Sequence, residues 1–274
     1  MPERRRVVVT VKTYPNPSTK YEETVCTAGF DLELKRFVRL YPVRFRDLPY
    51  AQWFKKWHVI EATLTHKTAD CRGDTYTPDP ASIRTVDEFY KGPKKDKVDW
   101  ARRDALVLPL ASTMEDLQAR ADAFEGSIGL VRVARDSELY LVPDADEWNA
   151  KQLSIMNQES LFESSRKPLQ KVPWTFRYKF KCADNPDCTG HDLQVFDWEP
   201  FELYRNQLAR WDPNKAHDDV LDKYNVQMGP MRRNVHLFVG TTISHPKQFS
   251  CIGVYAPPLP NTHERGNRPP PGPR

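Results

Sequence analysis

Trp174-Thr175-Phe176-Arg177-Tyr178-Lys179-Phe180-Lys181 alternates without interruption between aromatic residues and polar or cationic ones. A period of two belongs to a β-strand. It puts Trp174, Phe176, Tyr178 and Phe180 on a buried face and Arg177, Lys179 and Lys181 on the other. Toward the N-terminus, residues 7–14, 22–30, 36–41 and 57–65 read as further short strands, rich in β-branched and aromatic residues and broken by turns. Toward the C-terminus, residues 192–197, 234–242 and 249–255 read the same way, as do 128–133 and 138–142 in the middle. Helices are expected at 100–108, 145–162, 199–211 and 216–224, and at 113–125, where Thr113-Met-Glu-Asp116 resembles a capping box. Residues 70–97 read as an irregular excursion carrying Lys91, Lys94, Lys95 and Lys97. The expected fold class is α+β and β-rich, built from small barrels with inserted helices. The organisation reads as an N-terminal barrel over 1–145, a second β-rich part over 146–256, and a disordered proline-rich tail over 257–274.

The bulk composition allows such a fold. Of 274 residues, 39% are hydrophobic and 28% charged, enough apolar material for a core and too much for wholesale disorder. The 41 basic and 37 acidic residues nearly cancel, so the net charge of +4 permits a nucleic-acid partner without demanding one. No apolar run is long enough to span a bilayer and no signal-peptide core follows Met1, so no membrane partner is expected. Cys26, Cys71, Cys182, Cys188 and Cys251 are a sparse, odd set, which points to a reducing cytoplasm.

Three constellations carry chemistry. Between Ser164 and Ala183 lie six basic residues and no acid, so Arg177, Lys179 and Lys181 form a candidate phosphate track. Arg36-Phe37-Val38-Arg39-Leu40-Tyr41 repeats the idea: Val38 and Leu40 point inward, while Phe37 and Tyr41 are placed to stack on bases beside Arg36 and Arg39. The strand from Trp174 then runs into Cys182-x5-Cys188-x2-His191, three residues of the types that bind a structural zinc. A fourth ligand is open among Cys26, Cys71, Cys251, His236 and His245.

Catalytic readings are weaker. His191 with Asp197 and Glu199 would serve a metal-dependent nuclease or phosphodiesterase, as would His217-Asp218. Asp31-x-Glu33-x-Lys35 contains a nuclease-like triplet, but it lies in a hairpin turn. No phosphate-binding glycine loop and no nucleophile elbow is present.

The run Glu23-Thr-Val-Cys26-Thr-Ala-Gly29-Phe-Asp31, followed by Arg36-Phe-Val-Arg39-Leu-Tyr-Pro42-Val, resembles the opening of the prokaryotic dual-OB-domain family. The later Cys182…Cys188-x-Gly190-His191, Asp197-Trp198-Glu199, Gly240, His245-Pro246 and Gly253 is similar to uncharacterised bacterial proteins sharing that opening. The resemblance implies two OB-like barrels and binding of DNA, RNA or a nucleotide. It also implies a place as recognition or accessory module of a defence system, with other defence proteins as partners. Phe37 stands where an indole is common.

Overall fold

A computed structural model of the chain describes residues 1–18, 22–88, 98–154 and 169–260. The tail from 261 onward, the lysines at 91–97 and the end of the helix expected over 145–162 lie outside the described residues.

The N-terminal strands close on themselves. β1 (Glu3–Lys12) pairs with β3 (Glu22–Asp31), and β3 with β4 (Arg36–Val43). β4 runs parallel to β6 (Thr75–Pro78), β6 pairs with β5 (His58–His66), and β5 returns to β1. The ring β1-β3-β4-β6-β5-β1 is a closed five-stranded barrel. Short β2 (Asn16–Ser18) pairs with β3, and β7 (Arg84–Glu88) with β5. Val7, Val9, Val38, Leu40, Ile60 and Leu64 fill its interior.

The remaining strands repeat the order. β9 (Ile128–Arg132) and β10 (Glu138–Pro143) act as one bent strand. β10 pairs with β11 (Trp174–Phe180), and β11 with β12 (His191–Gln194). Val195, just past β12, bridges in parallel to Cys251 of β14 (Phe249–Tyr255). β14 pairs with β13 (His236–Thr241), and β13 with β9. The antiparallel bridge Val133–Cys182 joins β9 to the end of β11. Short β8 (Ala111–Ser112) lies parallel to β9. In each barrel the third strand runs parallel to the fifth, the connection of an OB barrel. The fold is β-rich α+β, as read from the sequence.

The α-helices that accompany the strands include α1 (Trp100–Val107), α2 (Met114–Asp122), α3 (Trp198–Leu208) and α4 (Pro213–Leu221). The capping box at Thr113 is real, since its hydroxyl accepts the Asp116 N–H at 3.2 Å. α3 and α4 connect the third and fourth strands of the second barrel and bury Tyr204, Ala216 and Val220 in its core.

The barrels are packed face to face. Val8, Phe30 and Phe37 from the first join Leu130, Phe238 and Ile252 from the second in one buried cluster. This explains the unbroken Val7-Val8-Val9, which buries side chains on both faces of β1. Gly29, in the Cys-x-Ala-Gly run, is needed where β3 crosses β1: a Cβ there would lie 2.2 Å from the Val8 carbonyl oxygen. Because that contact is with backbone, no rotamer relieves it. Gly29→Ala is expected to lower stability by about 3 kcal/mol, measured by urea unfolding; an unchanged midpoint would show that the strands can part.

Candidate functional site

The second-barrel strand that opens the sequence argument ends in a cluster of four potential metal ligands. Cys182 follows β11, Cys188 sits in the connecting loop, and His191 begins β12. Gly190, at φ 110°, turns the chain so that the imidazole comes back to the loop. His191 Nε2 lies 3.2 Å from Cys188 Sγ and 3.1 Å from Glu115 Oε1. One ligand atom from each of Glu115, Cys182, Cys188 and His191 falls within 4.8 Å of the others. Tetrahedral zinc, with bonds of about 2.0–2.3 Å, places its ligands roughly 3.3–3.8 Å apart. The fourth member of the cluster comes from the first turn of α2. None of Cys26, Cys71, Cys251, His236 or His245 belongs to the cluster.

Cys182 and Glu115 are shifted in opposite directions. Burial pushes the Cys182 thiol up, and the neighbouring Cys188 and Glu115 push the same way. Glu115 goes the other way. Slight burial opposes ionisation, but hydrogen bonds from Asn185 and the helix backbone, with His191 close by, hold it at about 2. A carboxylate, two buried sulfurs and an imidazole converging on one point form a donor set that a divalent ion would satisfy.

The basic strands differ from their sequence reading. Phe37 is buried, edge-on to Phe30 at 6.3 Å and to Phe238 at 5.7 Å, so it is not a base-stacking residue. The face of β4 opposite the barrel interior is covered by the second barrel rather than by water. Arg39, 2% exposed, donates to Cys26 Sγ at 3.1 Å and to Ser127 Oγ at 3.1 Å. Arg36 stays at the surface and donates to the Tyr76 hydroxyl at 3.0 Å. On β11, Arg177 is compensated: its guanidinium donates to Asp192 and to the Tyr140 hydroxyl, each at 3.0 Å. Lys179 and Lys181 remain exposed, with Asp136, Glu138 and Asp192 lining the same shallow recess. The run without acids in sequence acquires its acids from β10 and β12.

A stronger cationic site lies at one end of the barrel pair. A cleft of about 510 Å³ is lined by Cys26, Arg39 and Tyr41 from β3 and β4, and by Arg72 from the β5–β6 loop. The second barrel adds Lys151 and Gln152, before β11, and Thr241 to Ser244, leading out of β13. Among the described residues, three cations and no carboxylate line it, Arg72 being paired with Asp70 behind the wall. Arg72 fixes the floor. It grips Asp70 at 2.9 and 2.7 Å and donates to the Thr241 carbonyl at 2.7 Å, which ties corresponding loops of the two barrels together. Burial of Asp70 is outweighed by these bonds, which hold its carboxyl at about 2. Arg39 Nε and Thr241 Oγ1 are buried without a partner. Periodicity located Arg39 and Tyr41, but Arg72 fell in the segment read as irregular.

His191, Asp197 and Glu199 do not form a site together. His191 is in the four-ligand cluster. Asp197, fully buried, receives Lys56 at 2.7 Å and the Val254 N–H at 2.8 Å, and Lys56 reaches Glu199 at 3.1 Å. Burial alone would lower Lys56, yet the two carboxylates carry it above its usual value. Nearby, Lys12 sits 3.3 Å from the Phe45 ring centroid and 4.3 Å from that of Trp198, and burial lowers it to about 7. His217 touches its neighbour Asp218, and Asp31 caps its own turn by accepting the Glu33 and Leu34 N–H groups.

Two family models match the chain, each described as a domain of unknown function: DUF8758 over residues 3–109 and DUF8757 over residues 110–271. No curated protein matches. Among solved structures, a crystal structure of the p204 HINb domain aligns over 94% of this chain and 97% of that one, at 12% identity and a TM-score of 0.28. At that score the barrel assignment rests on the strand pairings above. No helix among the described residues is long and apolar enough to cross a membrane.

Proposed function

The chain belongs to the DUF8757 family, and we propose that it binds single-stranded nucleic acid in the cleft at the shared end of its two barrels. One observation carries this reading: the cleft is lined by Arg39, Arg72, Lys151 and Tyr41, with no carboxylate among the described residues that line it. It also occupies the strand face and inter-strand loops with which OB barrels take up oligonucleotides. Arg39 Nε and Thr241 Oγ1, buried and unpartnered, would gain acceptors from a phosphate or base edge. Tyr41 would stack on a base, and Lys151 and the surface Arg36 would draw the backbone in. Lys179 and Lys181 would extend the track along the second barrel.

In the same reading Glu115, Cys182, Cys188 and His191 hold a structural zinc. Four protein ligands leave no position for substrate, so the ion would organise the second barrel rather than catalyse. None of the five cysteines is paired in a disulfide, which fits a reducing cytoplasm. A role as recognition module of a prokaryotic defence system rests on the resemblance of the Cys26–Pro42 segment.

The test is a mobility-shift series with labelled single-stranded DNA and RNA across a salt range. Tyr41→Ala is expected to weaken binding about tenfold, and Lys151→Glu to weaken it and shallow the salt dependence by about one phosphate contact. If both variants bind like wild type while Lys179→Glu and Lys181→Glu do not, the cleft is the wrong surface. Degradation of the probe in magnesium or manganese would replace binding by nuclease chemistry.

A further inference from the structure

A second recess lies at the far end of the β13–β14 hairpin from this cleft. Thr241, at the cleft, lies five residue steps along β13 from His236, which pairs with Tyr255, a distance of about 17 Å along the strand. The recess has a volume of about 350 Å³, and its walls include Trp57, Trp100, Tyr255, Lys55 and Arg103. Arg103 is the unusual member. It is only 7% exposed, and its guanidinium is flanked by aromatic rings, 4.5 Å from the Trp57 centroid and 5.4 Å from the Trp100 centroid. Its Nε is buried without an acceptor. Among the described residues the guanidinium has no hydrogen-bond or ion-pair partner.

Among the described residues, the acids near it are engaged elsewhere. Glu199, on the rim, pairs with Lys56. Asp99 caps α1 by accepting the Arg102 N–H at 2.9 Å. Asp104 accepts the Tyr255 hydroxyl proton. Desolvation accordingly drags Arg103 down to about 10. A buried guanidinium held between two indoles and left without an anion is costly unless something supplies one. Lys56 is held by two carboxylates, Asp197 and Glu199, so part of the charge of Lys55 and Arg103 is offset, and Arg103 is the cation of the recess whose Nε has no acceptor. A phosphate monoester, at about −1.5 to −2 at neutral pH, would supply the acceptors that the Arg103 guanidinium lacks and a counter-charge for Lys55 beside it. The indole and phenol walls beside these charges suit a flat aromatic group joined to that phosphate.

We infer that this recess is a binding site for a nucleoside monophosphate, with the phosphate on Arg103 and Lys55 and the base against Trp100 and Tyr255. It is separate from the strand-binding cleft and does not depend on it. The site would let the protein register a free nucleotide while its other end holds a polymer.

The experiment is calorimetric titration and thermal shift of the full-length chain with AMP, GMP, CMP and UMP, and with inorganic phosphate alone. At least one nucleotide is expected to bind and raise Tm. Arg103→Met should weaken that binding about tenfold to a hundredfold. Because it removes a buried charge that lacks a partner, it should leave the free protein's Tm equal to or above wild type. Trp100→Ala should weaken nucleotide binding, whereas Tyr41→Ala, in the other cleft, should not. No binding by any nucleotide at millimolar concentration would overturn the inference, and so would retained binding in Arg103→Met. Equal binding of phosphate alone would remove the nucleoside from it. A single-stranded probe that still binds when the mononucleotides do not would leave the strand-binding reading intact.

Discussion

Asp197→Ala is expected to be among the most destabilising single substitutions in the molecule, costing about 3–5 kcal/mol. The carboxylate is fully buried and bonds Lys56 at 2.7 Å, the Val254 N–H at 2.8 Å and the first turn of α3. Its removal leaves the buried ammonium with Glu199 alone, leaves the Val254 N–H without its acceptor, and uncaps a helix. Urea unfolding measures the loss, and in a chain of this size Tm should fall by roughly 10 °C. Replacing both partners, in Asp197→Leu with Lys56→Met, should recover much of the loss, because no orphaned charge then remains. Equal losses in the single and double variants would mean that the pair contributes nothing specific. This role also bears on the nuclease alternative: loss of activity in Asp197→Ala would report unfolding before it reported chemistry.

The second large effect concerns the four-ligand cluster. Purified protein is expected to carry close to one zinc per chain, and Cys188→Ala to carry less than a tenth of that. At a metal concentration about a thousandfold above Kd, binding stabilises the folded state by about 4 kcal/mol, so stripping the ion should lower Tm by roughly 10 °C. Readdition of zinc should restore the wild type and not Cys188→Ala. Glu115→Gln keeps the size of the side chain but removes its charge, and should lower zinc affinity by far more than it lowers the Tm of the metal-free protein. Elemental analysis near zero, with no response to chelator, would dispose of the metal.

Much of the fold was legible because alternation survives even where burial differs. Residues 174–181, 36–41 and 249–255 are strands in the structure as in the sequence. What alternation does not state is what covers the second face. For Phe37 and Arg39 the covering is another barrel, and the same pattern that would suit a solvated binding strand serves an interface. β6, which closes the first barrel, was missed because Thr75-Tyr76-Thr77-Pro78 is too short to show a period and ends in proline. Arg72 was missed with it, since a loop has no periodicity to read. The metal cluster was three-quarters visible in one local motif. Its fourth member, Glu115, is distant in sequence, although the capping box at Thr113 already marked the helix turn that presents it. Acids on β10 and β12 were equally invisible as partners of β11 until strand pairing placed Glu138 beside Lys179 and Asp192 beside Arg177.

The apolar layer between the barrels has a consequence for how the protein melts and how its halves are inherited. Val8, Phe30 and Phe37 are sealed by Leu130, Phe238 and Ile252, and the junction of the two family models falls inside the short helical turn Leu108–Leu110. Cutting there would expose both sides of that layer to water at once. Calorimetry should therefore record a single endotherm whose van't Hoff and calorimetric enthalpies agree, with no separate signal for either barrel. The unit of sequence classification is then smaller than the unit of cooperative folding, and the two segments should be exchangeable between relatives only as a matched pair.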